Sequence, residues 1–235
     1  MKEIKLVVFD FDQTIVNSIK GFDKAFKKVM EEFKRFLKKH NYTLKLENYF
    51  PALKKKMREL DIQRIYNRNL WWNSLLKELE ITEIEFTEKE CNYLTERYWN
   101  ITAKYTELFP DTLDVFDYLK RKNYKFGLLS DTDGAPGLKR TRLQKSGLTK
   151  YFNSIMISGD DVSQTKPDPY PYLKLAADLE VSPKNSVMVG DKPFTDIKGG
   201  KAAGFFTILV LRESWEIDPV PDFQIHELKE LKSIL

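Results

Sequence analysis

The run Val7-Val8-Phe9-Asp10-Phe11-Asp12-Gln13-Thr14 constrains this chain most, because it drives an apolar segment straight into two carboxylates one residue apart. A buried strand that ends in a turn delivers its last side chains to the carboxyl edge of a sheet, where open α/β folds assemble their sites. Two acids there can bind a hard cation, and one of them can attack phosphorus. Asp also punctuates turns by bonding nearby backbone, so the acid pair alone does not separate a site from a turn.

Later segments repeat the pattern. Ser130 follows Phe126-Gly127-Leu128-Leu129, Gly190-Asp191 follows Val187-Met188-Val189 with Asp196 beyond it, and Lys166 opens Lys166-Pro167-Asp168-Pro169. An acid pair, a hydroxyl, a lysine and a second acid pair, delivered by separate strand ends, form a set suited to phosphoryl transfer.

Between the first acids and the hydroxyl the periodicity changes. Phe22, Phe26, Val29, Met30, Phe33, Phe36 and Leu37 recur at spacings of three and four, which predicts a long amphipathic helix with the phenylalanines as core. Pro51 suits the start of a second helix, Leu60 to Leu79 continues with helical spacing, and Thr87 with Glu90 is a capping-box pair opening a helix toward Ala103. Residues 17–105 therefore read as an all-helical module of about four helices. Phe109-Pro110-Asp111 ends that pattern. Beyond it, helices near Leu113–Leu119, Arg140–Ser146, Tyr170–Leu179 and Ile197–Ala203 alternate with strands near Tyr124–Leu129, Ser154–Ile157, Ser186–Val189 and Phe206–Leu211. That alternation predicts an α/β fold, a doubly wound, parallel, Rossmann-like sheet built from residues 1–16 and 106–235. Ile225 to Leu231 reads as a closing helix.

The length of 235 residues fits one domain carrying an insertion, and 42% hydrophobic residues suffice for a core. Cys91 is the single cysteine, which excludes an intrachain disulfide. Leu6 to Phe9 is too short for a signal segment and no stretch reaches membrane-spanning length, so a soluble, cytoplasmic protein is expected. Residues 17–105 hold 19 Lys and Arg against 13 Asp and Glu. A basic helical module suits an anionic substrate, and equally a solvated helix surface. With no zinc pattern, RNP-like strand or basic arm, nucleic acid is not an expected partner.

With these motifs in this order, the chain resembles the haloacid dehalogenase-like (HAD) hydrolase superfamily from Ile4 to about Leu211. It looks most like the phosphoglycolate phosphatase-like branch of small phosphatases, with a helical cap inserted after the first motif. The resemblance implies a phosphatase acting on a small phosphorylated metabolite, as a monomer or homodimer. It implies Asp10 as nucleophile forming an aspartyl-phosphate, and Asp12 as general acid and then base with its side chain free. It implies Mg²⁺ held by Asp10, the Asp12 main-chain carbonyl and Asp191, which agrees with an all-oxygen donor set lacking His or Cys. Asp196 would order the surroundings of the metal and Thr14 would support the first loop. Ser130, Asp131 and Lys166 would bind the phosphoryl group.

Two positions depart from the family pattern. Gln13 stands where glycine is commonest, which disfavours a positive φ. Asp131 stands where asparagine is common, and its charge would repel phosphate unless a cation, such as one from the cap, offsets it. Trp71 and Trp72 are adjacent, so they point about 100° apart on a helix and are expected to pack partly at surfaces. His40 and His226 carry no motif. A phosphoryl mutase, a phosphonate hydrolase or a non-catalytic phosphate-responsive binder on the same fold are the alternatives.

Overall fold

A computed structural model describes residues 3–235. The strands are β1 (Leu6–Phe9), β2 (Val16–Asn17), β3 (Glu107–Leu108), β4 (Lys125–Asp131), β5 (Ser154–Ser158), β6 (Ser186–Gly190), β7 (Phe206–Val210) and β8 (Phe223–Ile225). The helices are α1 (Ile19–Lys39), α2 (Phe50–Ile62), α3 (Asn69–Glu78), α4 (Glu88–Tyr105), α5 (Thr112–Arg121), α6 (Leu138–Lys145), α7 (Pro169–Asp178), α8 (Lys198–Ala202) and α9 (Leu231–Ile234). No helix of the described residues is long and apolar enough to cross a membrane.

The chain divides into two compact units. One comprises residues 1–18, 106–131 and 139–235, and the other residues 19–105 and 132–138. The boundary thus falls two residues later than the sequence pattern placed it, and the short segment after β4 goes with the helices.

The α/β unit is a six-stranded parallel sheet in the order β5-β4-β1-β6-β7-β8. Period-two alternation makes β1 its buried centre: Val7 and Phe9 enter one core with Val115, Phe116 and Leu231, while Leu6 and Val8 enter the other with Tyr172 and Leu175. Phe9 pairs in register with Leu128 of β4 on one side and Val189 of β6 on the other. The carboxyl ends of all three strands are thereby brought level beside the point where the winding reverses. The antiparallel β2–β3 ribbon, Val16 opposite Leu108, joins the two chain crossings at the insertion, where the Thr106 hydroxyl donates to Ser18 Oγ at 3.5 Å.

The helical unit has its own core, in which Phe26, Val29, Met30, Phe33 and Leu37 of α1 pack with residues of α2, α3 and α4. Thr87 and Glu90 form the expected reciprocal bonds, Thr87 N–H to Glu90 Oε2 at 2.9 Å and Glu90 N–H to Thr87 Oγ1 at 3.3 Å.

Four expectations change. The helical spacing across Leu60–Leu79 is interrupted, because Arg64 takes a left-handed φ of 59° and α3 starts afresh at Asn69. Ile225 ends an edge strand instead of opening a helix; Glu227 and Glu230 then cap a 3₁₀ turn that leads into α9. The expected Ile197–Ala203 helix is a π-type turn, Pro193–Ile197, followed by α8. Trp71 and Trp72 are 2% and 0% exposed, since each indole N–H has an internal acceptor, Ile65 O at 2.6 Å and Thr95 Oγ1 at 2.8 Å.

Candidate active site

Asp10 is the first residue past β1, and its N–H donates to Val189 O at 3.0 Å, which ties it to β6. The next turn is tight: Gln13 N–H donates to Val16 O at 2.8 Å, and Ile15 N–H to Phe11 O at 3.2 Å. Closing it requires a φ of 60° at Gln13. The loop therefore adopts the left-handed conformation despite lacking glycine, at a cost of about 1 kcal/mol.

Lys166 reaches Asp10 Oδ1 and Asp196 Oδ1, both at 2.7 Å, and is buried with them. Burial alone would lower its pKa, but Asp10, Asp196 and Asp131 raise it well above the usual lysine value, so it is a fixed cation. Asp196 also accepts from Lys192 N–H at 3.0 Å through Oδ2. It sits so close to Gly190 that a Cβ there would overlap its carboxylate, which explains the glycine before Asp191. Thr14 Oγ1 donates to Asp191 Oδ1 at 3.3 Å, which joins the first loop to the second acid pair. Ser130, 2% exposed, stands near the end of β4.

Asp10, Asp191 and Asp196 can each bring a carboxylate oxygen within 4.8 Å of the others. Asp191 Oδ2 is sealed from solvent without a hydrogen-bond partner. Burial first, then Asp196 and Asp10, push the Asp191 carboxyl well above its usual range, and burial lifts Asp196 to about 6 against the pull of Lys166. Three crowded acids and one lysine leave negative charge uncompensated, and these oxygens suit a hard cation.

Asp131 is occupied. Its Oδ1 accepts from the Ser158 hydroxyl at 2.6 Å and from Lys166 N–H at 2.9 Å, so it braces β4, β5 and the lysine loop to one another. Groups of the same unit thus meet part of its charge.

Asp12 differs most from expectation, since its side chain is not free. Ser18 Oγ donates to Oδ1 at 2.5 Å, Lys139 Nζ to Oδ2 at 2.7 Å, and Arg142 donates to both oxygens, through Nη1 at 3.1 Å and through a shorter bond from Nη2. Burial would raise the carboxyl, but Arg142 and Lys139 hold it far below the usual range, so it is ionised. Lys139 and Arg142 were not among the expected site residues. The signal available was their spacing of three on the helix that follows the Ser130 strand, which puts both on one face. His40 Nε2 is 3.8 Å from Glu90 in the helical unit, and His226 N–H donates to Glu230.

The profile of the haloacid dehalogenase-like hydrolases matches residues 4–204. The chain belongs to this family. Among its relatives, phosphoglycolate phosphatase of Aquifex aeolicus is 25% identical across 99% of this chain and 97% of its own. Glyceraldehyde 3-phosphate phosphatase of Pyrococcus furiosus is 26% identical across 100% and 94%. Among solved HAD structures, a phosphatase from Thermococcus onnurineus superposes with a TM-score of 0.66 at 26% identity, covering 98% of this chain and 97% of its own. The HAD-hydrolase YfnB of Bacillus subtilis, solved bound to magnesium, gives 0.76 at 22% identity, covering 100% and 99%, and shows the shared fold.

Proposed function

We propose that this HAD hydrolase is a Mg²⁺-dependent phosphatase that hydrolyses a small phosphate monoester through an aspartyl-phosphate on Asp10. The observation that carries this reading is the buried cluster in which Lys166 bridges Asp10 and Asp196 while Asp191 keeps an unpartnered oxygen. The names of its full-length relatives, phosphatases of phosphoglycolate and glyceraldehyde 3-phosphate, support the substrate class.

The donor set fits a hard divalent ion: oxygens only, an orphaned buried carboxylate oxygen, and acids whose proton affinity is raised by burial and by mutual repulsion. Asp10, Asp191 and the Asp12 carbonyl would hold it, with Asp196 ordering the surroundings. When bound it neutralises charge between an anionic nucleophile and an anionic ester. Lys166 and Ser130 then supply a fixed cation and a hydroxyl to the phosphoryl oxygens. Asp10 forms a bond to phosphorus as the ester P–O bond breaks, and the leaving oxygen takes a proton from Asp12. Water attacks the acyl phosphate, gives its proton back to Asp12 and releases inorganic phosphate. Asp12 as observed is an ionised acceptor, so its acid role requires that Arg142 and Lys139 yield their bonds to it.

Phosphate release from a panel of glycolyl, triose, sugar and nucleotide phosphates, with Mg²⁺ or EDTA, tests the reading. Release should need Mg²⁺ and vanish in Asp10→Asn, which keeps the shape but not the nucleophile. Turnover that persists in Asp10→Asn removes the covalent route.

A further inference from the structure

The helical unit buries one cation that no carboxylate meets. Arg68, in the turn before α3, is 8% exposed. Its guanidinium carbon lies 3.8 Å from the centroid of the Trp71 ring, 4.5 Å from Trp99 and 4.7 Å from Tyr98. Nε and Nη1 are sealed from solvent without a hydrogen-bond partner among the described residues. A guanidinium has two kinds of surface. Its faces stack on rings, and here they are covered; its edge carries five N–H donors that need acceptors in the plane. A buried cation with an unmet edge is costly unless an anion completes it.

The surroundings hold the guanidinium plane in place. Trp71 Nε1 donates to Ile65 O at 2.6 Å and Trp99 Nε1 to Asp133 O at 2.9 Å, so both indoles are pinned. Tyr98 and Trp99 meet edge-on at 5.2 Å. Gly134, at a φ of 91°, lets the backbone of Tyr66 and Asn67 pack where any Cβ would overlap the Tyr66 carbonyl, which fixes the residues leading into Arg68. An Arg whose plane is fixed by stacking is a pre-organised fork for a carboxylate or phosphate. Nη2 is the nitrogen left unsealed, and both bidentate edges of a guanidinium include it, so an oxyanion entering there also satisfies a sealed nitrogen.

From this we infer that Arg68 is an oxyanion seat of the helical unit, taking a carboxylate or phosphate group of a small anionic molecule. The inference does not depend on the chemistry at Asp10. The oxyanion is that of a separate anionic ligand bound within the helical unit.

The test follows the Arg68 Nε–H resonance of ¹⁵N-labelled full-length protein, assigned by its loss in Arg68→Lys. Glycolate and inorganic phosphate are titrated without Mg²⁺, against chloride at equal ionic strength. A saturable shift with the oxyanions and none with chloride is expected. No shift, or the same shift with chloride, overturns the inference and leaves Arg68 a stacked structural cation.

Discussion

Lys166 in the α/β unit lies 2.7 Å from two buried carboxylates, whereas Arg68 in the helical unit is also buried and, among the described residues, meets aromatic faces and no carboxylate. The same contrast extends to Arg142 and Lys139, which converge on Asp12. In the α/β unit, cations are held by acids that parallel strands deliver to one edge, so each charge there is fixed by its neighbours. In the helical unit the buried carboxylates Glu32 and Glu90 pair with the exposed Arg35 and Lys39, and the centre is filled with rings. The buried charges of the α/β site are compensated within their unit, whereas the Arg68 guanidinium meets no carboxylate among the described residues.

The largest effect should follow removal of the paired lysine. Lys166→Met takes away the cation between Asp10 and Asp196 and should lower kcat on any hydrolysed ester by about a thousandfold. A loss of twofold or less would place Lys166 outside the reacting group.

Arg142→Met tests pairing through stability. It leaves the Asp12 carboxylate, 19% exposed, with Lys139 and Ser18 alone, and should cost about 2 kcal/mol in urea denaturation, because one partner of a buried pair is removed. Combining it with Asp12→Asn should recover part of that loss. Unchanged stability in Arg142→Met would mean that the cluster around Asp12 is not a true pair.

How far each feature could be read in the sequence follows the same division. Asp10, Ser130 and Asp191 were legible because each closes or follows a strand end, and strand ends converge; Lys166 lies in the loop between β5 and α7 and was marked only by its place in the order of motifs. Arg142 was not, since Lys139-Arg140-Thr141-Arg142 reads as a solvated basic helix, and its partner Asp12 lies 130 residues earlier. Gln13 misled because side-chain preference disfavours its φ, yet the Phe11 and Val16 backbone bonds that close the loop override it. The break between α2 and α3 turns on Arg64 in a left-handed conformation, with neither Gly nor Pro to announce it. The last strand is three residues long, too short for alternation to register.

A smaller effect should come from an ion pair of the helical unit that has one buried and one exposed partner. Burial would raise the Glu90 carboxyl, but Thr87 N–H and Lys39 bring it down to about 2 from 4.5. A carboxyl depressed on folding stabilises above its unfolded pKa and loses that contribution as pH falls through the folded value. The stability difference between wild type and Glu90→Gln should therefore be about 1–2 kcal/mol at pH 6, allowing for solvent screening of the exposed Lys39, and should shrink between pH 4.5 and pH 2. A difference that stays constant over that range would assign the effect to the neutral capping bonds instead.

The smallest effect should come from the unpaired cation, and it bears most directly on the contrast. Arg68→Met gives up ring–cation attraction of about 2 kcal/mol, but also removes a guanidinium whose Nε and Nη1 have no acceptor. Methionine is unbranched and polarisable, so its thioether can occupy the slot beside Trp71, Tyr98 and Trp99 with favourable sulfur–ring contacts. The two changes offset, and the free protein should unfold within about 1 kcal/mol of wild type, where Arg142→Met does not. Saturating glycolate should then stabilise wild type and leave Arg68→Met unchanged, because only a fork that binds the native state gains from the ligand. A large loss in the free protein would make Arg68 a structural keystone, and the two units would then bury charge for the same reason.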